Sequence, residues 1–275
     1  HMGEPAPEPG DSLPGFCVAD VIESRAESFA AGDRVVVEAG WTDAAWVRAE
    51  SARKVGRGLA PSLYLGVLGM PGLTAWAGVT QLARAGVDDI LTVNAAAGAV
   101  GGTAGQIVRN FGGRAVGVAG GPEKCAAVVD RYGFAACVDH RVSDWKERLR
   151  AACPDGATIH FENVGTEPLA VGMGLLRAYG RVILCGLAGH YHSDQGPALT
   201  AVGPIVAKRA AVYGLVVYDF YPRFAEWLAL AEPWVKQGRL TQIEDRGEGL
   251  DSAPRQLERL MRGENLGKTL TRISG

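Results

Sequence analysis

The stretch D-D-I-L-T-V-N-A-A-A-G-A-V-G, residues 88–101, decides the fold. Its first part, 88–95, is a short apolar run of the kind that fills a buried strand, and it passes straight into a turn of small residues. That turn, A-A-A-G-A-V-G at 95–101, matches the glycine fingerprint of dinucleotide-binding units, with Ala96 at the first glycine position. A lone glycine fingerprint is weak. Between a strand end and a helix start it gains a physical purpose, because the exposed N–H groups of the first helical turn bind pyrophosphate. Gly98 then allows the backbone to approach the pyrophosphate, and Gly101 allows the helix to pack closely on the sheet. The plainer alternative is a Gly/Ala turn in an unrelated α/β protein.

Beyond this turn the rhythm of strand, glycine-containing turn and helix recurs as far as residue 238. Strands are expected at 88–95, 114–119, 136–139, 158–162, 181–185 and 212–217, and helices at 100–111, 123–132, 145–153, 168–179, 199–209 and 222–236. Such alternation is met most simply by an α/β fold with a doubly wound parallel Rossmann sheet. Before it, residues 61–85 carry an apolar stripe with Pro71 where a first helical turn tolerates proline, so a helix is expected there. The runs G-F-C-V-A-D-V-I-E-S, D-R-V-V-V-E and W-V-R-A-E within 15–50 read as a small antiparallel β unit. Residues 240–274 read as strand, helix, strand and are expected to return to that unit. The expected organisation is a tag and disordered tail over 1–14, a smaller β domain over 15–75 and 239–275, and a dinucleotide-binding domain over 76–238.

Composition narrows the function classes. Lys and Arg number 28 against 30 Asp and Glu, so there is no basic footprint of a nucleic-acid partner. No apolar run approaches the ~20 residues that span a bilayer, and no leader pattern opens the chain, so a cytoplasmic protein without a membrane partner is expected. Five scattered cysteines, never paired as C-x-x-C, suggest neither a disulfide framework nor a zinc ribbon. They are expected to be small, buried and inert.

Cofactor choice is usually written at the end of the second strand, where an acid accepts the ribose hydroxyls of NAD. Here the residues are G-G-P-E-K, 120–124, with no acid at the strand end. Lys124 opens the next helix where a ribose 2′-phosphate would lie, and His140 and Arg141 follow the third strand. NADP(H) is the expected cofactor. The plainer alternative is a solvated first-turn lysine, which the helix dipole disfavours.

Six ordered motifs carry a family resemblance: L-G-M-P-G-L-T-A at 68–75, N-A-A-A-G-A-V-G at 94–101, G-P-E-K-C at 121–125, F-E-N-V-G at 161–165, C-G-L-A-G-H-Y at 185–191 and G-E-N-L-G-K at 263–268. From about residue 15 onward the chain resembles the prostaglandin reductase, or leukotriene hydroxydehydrogenase, branch of the medium-chain dehydrogenases/reductases, with its plant and bacterial alkenal double-bond reductases. The resemblance implies a second, smaller GroES-like β domain, incomplete here because the chain begins where the family is already well into its catalytic domain. An uncovered barrel edge would follow, inviting pairing into a homodimer.

The resemblance also implies site residues. Gly98, Ala99, Val100, Gly101, Lys124, Asn163, Cys185, Gly186, Leu215, Val216, Val217 and Asn265 would contact NADPH, and His140 stands where the family commonly has a tyrosine near the adenosine phosphate. Asn163 and Asn265 could instead cap turns. Tyr191 would be the catalytic residue that polarises the substrate carbonyl, since a hydrogen-bond donor near that oxygen lowers the barrier to hydride addition at the β-carbon. His190 and His192 flank it without a family role. Trp41, Met70, Thr74 and Tyr218 are candidate substrate lining. No Cys/His/Glu zinc constellation is present, consistent with the zinc-free branch. The implied function is NADPH-dependent reduction of the C=C bond of a hydrophobic α,β-unsaturated ketone or aldehyde. The alternatives are a non-redox cyclase or isomerase of a secondary metabolite, or a cofactor-binding scaffold.

Overall fold

The structure is a computed structural model that describes residues 8, 10, 13–190 and 202–273. The chain divides into two compact units, a smaller one built from residues up to Leu65 with Glu244–Asn265 and the chain from Thr269, and a larger one built from Gly66–Ile243 with Leu266–Lys268.

In the smaller unit β1 (Phe16–Asp20), β2 (Arg34–Glu38) and β3 (Arg53–Lys54) form an antiparallel sheet with Val18 opposite Val36. Val35 and Val37 are buried while their neighbours in β2 are not, the period-2 burial that a one-sided sheet needs. Arg34 donates to both carboxylate oxygens of Asp20 across the β1–β2 pair, at 2.9 and 3.2 Å. The run at 46–50 is not a strand. Trp46 is exposed and lies under the Arg25 guanidinium, and Val47 is exposed beside it, so the segment has no face to bury; pairing moves on to Arg53–Lys54.

The larger unit opens with α1 (Met70–Trp76), which has Pro71 in its first turn and continues as a π-helical segment, Ala77–Leu82. There follow β4 (Ile90–Asn94), α2 (Ala99–Asn110), β5 (Arg114–Ala119), α3 (Pro122–Tyr132), β6 (Ala136–Asp139), α4 (Trp145–Ala152), β7 (Ala157–Glu162), α5 (Thr166–Leu175), β8 (Leu176–Leu184), α6 (Val202–Lys208), β9 (Ala211–Gly214) and α7 (Phe224–Lys236). The six strands are parallel in the order β6-β5-β4-β7-β8-β9. The order reverses between β4 and β7, and the crevice beyond the carboxyl ends of those strands is where doubly wound sheets take their ligands. Strand interiors supply the core: Leu91, Val93, Ile159, Phe161, Val182 and Ile183 are fully buried. β10 (Glu244–Glu248), α8 (Ala253–Met261) and β11 (Lys268–Arg272) close the chain, and the two strands pair.

Further expectations need correction. The helix expected to run to residue 179 ends at Leu175; Leu176 already pairs with Ala157, Tyr179 turns the chain at φ +63, and the ladder resumes with Ile159 opposite Arg181. An apolar pair such as Leu175-Leu176 suits a helix end and a buried strand start equally, so periodicity could not divide them. The last strand stops at Gly214, and Pro222 lies in a 3-10 segment, Val217–Arg223, ahead of α7. Among the cysteines only Cys153 is fully buried. Cys125 and Cys137 approach to 3.2 Å between their sulfurs, and desolvation raises the pKa of both thiols. Among the described residues no helix is long and apolar enough to cross a membrane.

Candidate functional site

The crevice at the strand reversal is built first by the turn after β4. Asn94 ends the strand, Ala95 takes a left-handed conformation at φ +50, and the turn closes with the Gly98 amide donating to the Ala95 carbonyl at 2.9 Å. Gly98 is the N-cap of α2 and offers no side chain of its own, and the first turn of α2 carries no acid. Its amides therefore present unsatisfied donors and a positive dipole end. A Cβ on Gly101 would stand 2.6 Å from the Ala95 carbonyl oxygen, so only glycine allows this approach of helix to strand end. With the Gly98 amide spent on Ala95, the backbone amides of Ala99, Val100 and Gly101 are the groups of this turn that could hold a pyrophosphate.

The second corner follows β5. Gly121 stands at φ +97 as N-cap of α3, and half-buried Lys124 lies in the first turn of that helix. From the end of β6, Asp139 Oδ1 accepts the Gly121 amide at 2.8 Å and the Arg141 amide at 2.9 Å. Those amides, Arg141 first, hold the Asp139 carboxyl below its usual range. A Cβ built on Gly120 would meet His140 Nε2 at 2.9 Å and Arg141 Nε at 3.2 Å, so both basic side chains lean over this turn. Asp139 comes from the end of the third strand, not the second where a ribose-binding acid is ordinarily found, so its position in the sequence gives no sign of this contact.

Between β4 and β7 lies a buried polar cluster. Glu162, fully buried, accepts Asn94 Nδ2 on both carboxylate oxygens at 2.8 Å, and the Val164 and Gly165 amides on Oε1 at 2.6 and 2.8 Å. His160 Nε2 lies 3.0 Å from Oε2, and His160 Nδ1 lies 3.0 Å from the Thr92 hydroxyl. Burial by itself raises the Glu162 carboxyl, yet the hydrogen bond and charge of His160 and the two amides bring it below the usual carboxylate range. Asn163 donates its amide to Asn94 Oδ1 at 2.8 Å and its side-chain Nδ2 to the Asn94 carbonyl at 3.0 Å. The loop after β8 follows the same layer: the Cys185 and Gly186 amides reach the Glu162 carbonyl at 3.0 and 3.1 Å, and Ala188 reaches the Asn163 carbonyl at 3.0 Å. His190 Nε2 is 2.8 Å from the Thr166 hydroxyl. Desolvation pushes the Cys185 thiol up to about 12. Asn94 and Glu162 stand in two of the motifs that carry the resemblance, and His160 just ahead of the second, but nothing in the sequence shows that the three meet.

The remaining candidates are spread more widely. Leu215 extends the sheet by donating to the Leu184 carbonyl at 2.9 Å and is buried, whereas Val216 is exposed and Val217 begins the 3-10 segment. Thr74 is buried on α1 with its hydroxyl donated to the Met70 carbonyl at 2.7 Å, and Met70 opens that helix. Tyr218 is half-exposed, edge-on to Tyr221 at 5.2 Å. Trp41 and Asn265 are half-buried in the smaller unit. Tyr191 and His192 lie outside the described residues. Among the described residues no group of three or more His, Cys, Asp or Glu is placed to hold a metal ion.

Comparison with known proteins adds the context. Residues 99–233 match the family described as zinc-binding dehydrogenase, and residues 2–55 match the family described as N-terminal domain of oxidoreductase. The chain is 36% identical to the NADPH-dependent curcumin reductase of Escherichia coli (strain K12), over 97% of this chain and 79% of that protein. It is 33% identical to the NADP(+)-dependent 2-alkenal reductase of Nicotiana tabacum, over 97% and 78% of the two chains. The crystal structure of CurA from Vibrio vulnificus in complex with NADPH superposes with a TM-score of 0.88 at 35% identity, covering 95% of this chain and 80% of that one.

Proposed function

The chain belongs to the medium-chain dehydrogenase/reductase superfamily, alongside its curcumin, alkenal and prostaglandin reductases, and from that premise we propose that it reduces the C=C bond of α,β-unsaturated ketones or aldehydes with NADPH and without zinc. The observation that carries this reading is the open, acid-free amide turn at the head of α2, placed where the strand order reverses. NADPH when bound supplies a hydride, which adds to the substrate β-carbon. The turn from Gly98 to Gly101 is assigned the pyrophosphate. Lys124 and His140 are assigned the ribose 2′-phosphate, a reading supported by the basic side chains over Gly120. Asn163, Cys185, Gly186, Leu215, Val216 and Val217 are assigned the nicotinamide half, for which their common position along the carboxyl ends of β7, β8 and β9 speaks.

Charge develops on the substrate oxygen as hydride reaches the β-carbon, so a fixed donor there lowers the barrier. Tyr191 is assigned that donation, and the α-carbon then takes its proton from water. Met70, Thr74 and Tyr218 are assigned to a hydrophobic substrate surface; Thr74 adds no free hydroxyl proton to it, having donated to Met70. The smaller unit is read as the substrate-side, GroES-like domain. A cytoplasmic homodimer is the assigned state, checked by light scattering and fractionation. The reaction itself is tested with NADPH carrying deuterium at the transferred position: the label should appear on the β-carbon of a saturated carbonyl product. Label at the carbonyl carbon would refute the assignment.

A further inference from the structure

We propose that Glu162 is the positioning residue of the cofactor crevice, holding the turn after β4, the turn after β7 and the loop after β8 in one register; the proposal rests on the NADPH-dependent reading above. The geometry is specific. In a parallel sheet the ladder ends with the strands, and the two turns flanking a strand reversal lead into helices on opposite courses, so nothing in the backbone pattern alone fixes one turn against the other. Here the Glu162 carboxylate does so, together with the direct Asn94–Asn163 contacts. On one side it takes both contacts of the Asn94 amide, the residue that leads into left-handed Ala95 and the Gly98 turn. On the other it takes the Val164 and Gly165 amides at the entry to α5, while its own carbonyl receives Cys185 and Gly186.

The surroundings are shaped to keep that carboxylate ionised and oriented. The Asn94 side-chain amide and the Val164 and Gly165 backbone amides around it are all donors, which suits an anion with lone pairs to fill and no proton to give. His160 buttresses it from the same strand, and a Cβ on Gly172 of α5 would overlap the His160 ring, so the helix is cut away to admit the imidazole. Asn94 in turn spends its Oδ1 on the Asn163 amide, which fixes the residue assigned to the nicotinamide half. A buried charge that served folding alone is often replaceable by apolar residues. One that, apart from His160, contacts the end of β4 and the turn after β7 acts on the geometry of binding.

The test compares Glu162→Gln and Asn94→Ala with the parent chain in titrations of NADPH and of adenosine 2′-monophosphate. The latter probes only the Lys124 corner. NADPH affinity should fall about tenfold or more in either variant, as expected when groups that hold a ligand's contacts are misplaced by an ångström. Binding of adenosine 2′-monophosphate should stay within about twofold, which general loss of structure would not permit. The double variant should lose less than the product of the two single losses, because both act through one contact. Either single variant suffices if the other fails to fold. Unchanged NADPH affinity in a folded variant, or equal loss for both probes, would overturn the proposal while leaving the functional reading intact. Failure of the parent chain to bind NADPH would overturn the functional reading and this proposal with it.

Discussion

Asp139 Oδ1 accepts the Gly121 amide at 2.8 Å, so an acid from the end of β6 holds the turn that follows β5. Because the same oxygen also takes the Arg141 amide, this carboxylate is engaged by the backbone and braces the corner at which a ribose would lie. Asp139→Asn keeps an acceptor and should leave NADPH affinity nearly unchanged. Asp139→Ala should weaken it, because Gly121 at φ +97 loses the contact that fixes its turn. Equal affinities for all three proteins in a fluorescence titration would show that the corner needs no brace.

Lys124 is the residue proposed to set cofactor choice at the same corner. A charge-assisted contact to phosphate is worth about 1.5–3 kcal/mol, so the parent chain should prefer NADPH over NADH by roughly tenfold or more. Lys124→Ala should remove most of that preference and leave NADH binding alone. Equal affinity of the parent chain for the two cofactors would contradict the assignment.

Gly101→Ala tests the close approach of α2 to the end of β4. The added Cβ would meet backbone at 2.6 Å, and backbone cannot swing aside as a side chain can. Overpacking of this kind costs about 1–3 kcal/mol, measurable by denaturant unfolding. NADPH binding should fall further than stability does, because the displaced turn is the one assigned the pyrophosphate.

The Glu162 carboxyl sits below its ordinary value of 4.5 in the folded chain. Its contribution to stability is therefore present above that value and is lost as pH falls through the lower, folded-state value. Melting temperature should drop on acidification through this window, and Glu162→Gln should flatten the drop by at most one proton's worth, about 1.4 kcal/mol per pH unit. An identical acid limb in parent and variant would show that the carboxyl is not held ionised by its donors.

Most strands and the glycine turn after β4 were legible because their signals are local: apolar runs broken by glycine, and a fingerprint whose residues are sequence neighbours. Where two states share one local pattern, as at Leu175-Leu176, the ladder with Ala157 decided. The cofactor corner was only half legible. Lys124 announces itself at a helix start, whereas Asp139 reaches Gly121 across 18 positions of sequence. The Asn94–Glu162 contact spans 68 positions, and a polar residue in a strand gives no sign of the partner that the fold will bring to it.

Reduction of an enone's carbon–carbon double bond by this chain with NADPH can be measured in one experiment. The purified chain is mixed with NADPH and a simple α,β-unsaturated ketone while the nicotinamide absorbance is followed and the product identified. Loss of NADPH matched mole for mole by saturated ketone is the predicted result, unchanged after treatment with a metal chelator. NADPH that binds without being consumed, or consumption that yields an allylic alcohol, would refute double-bond reduction.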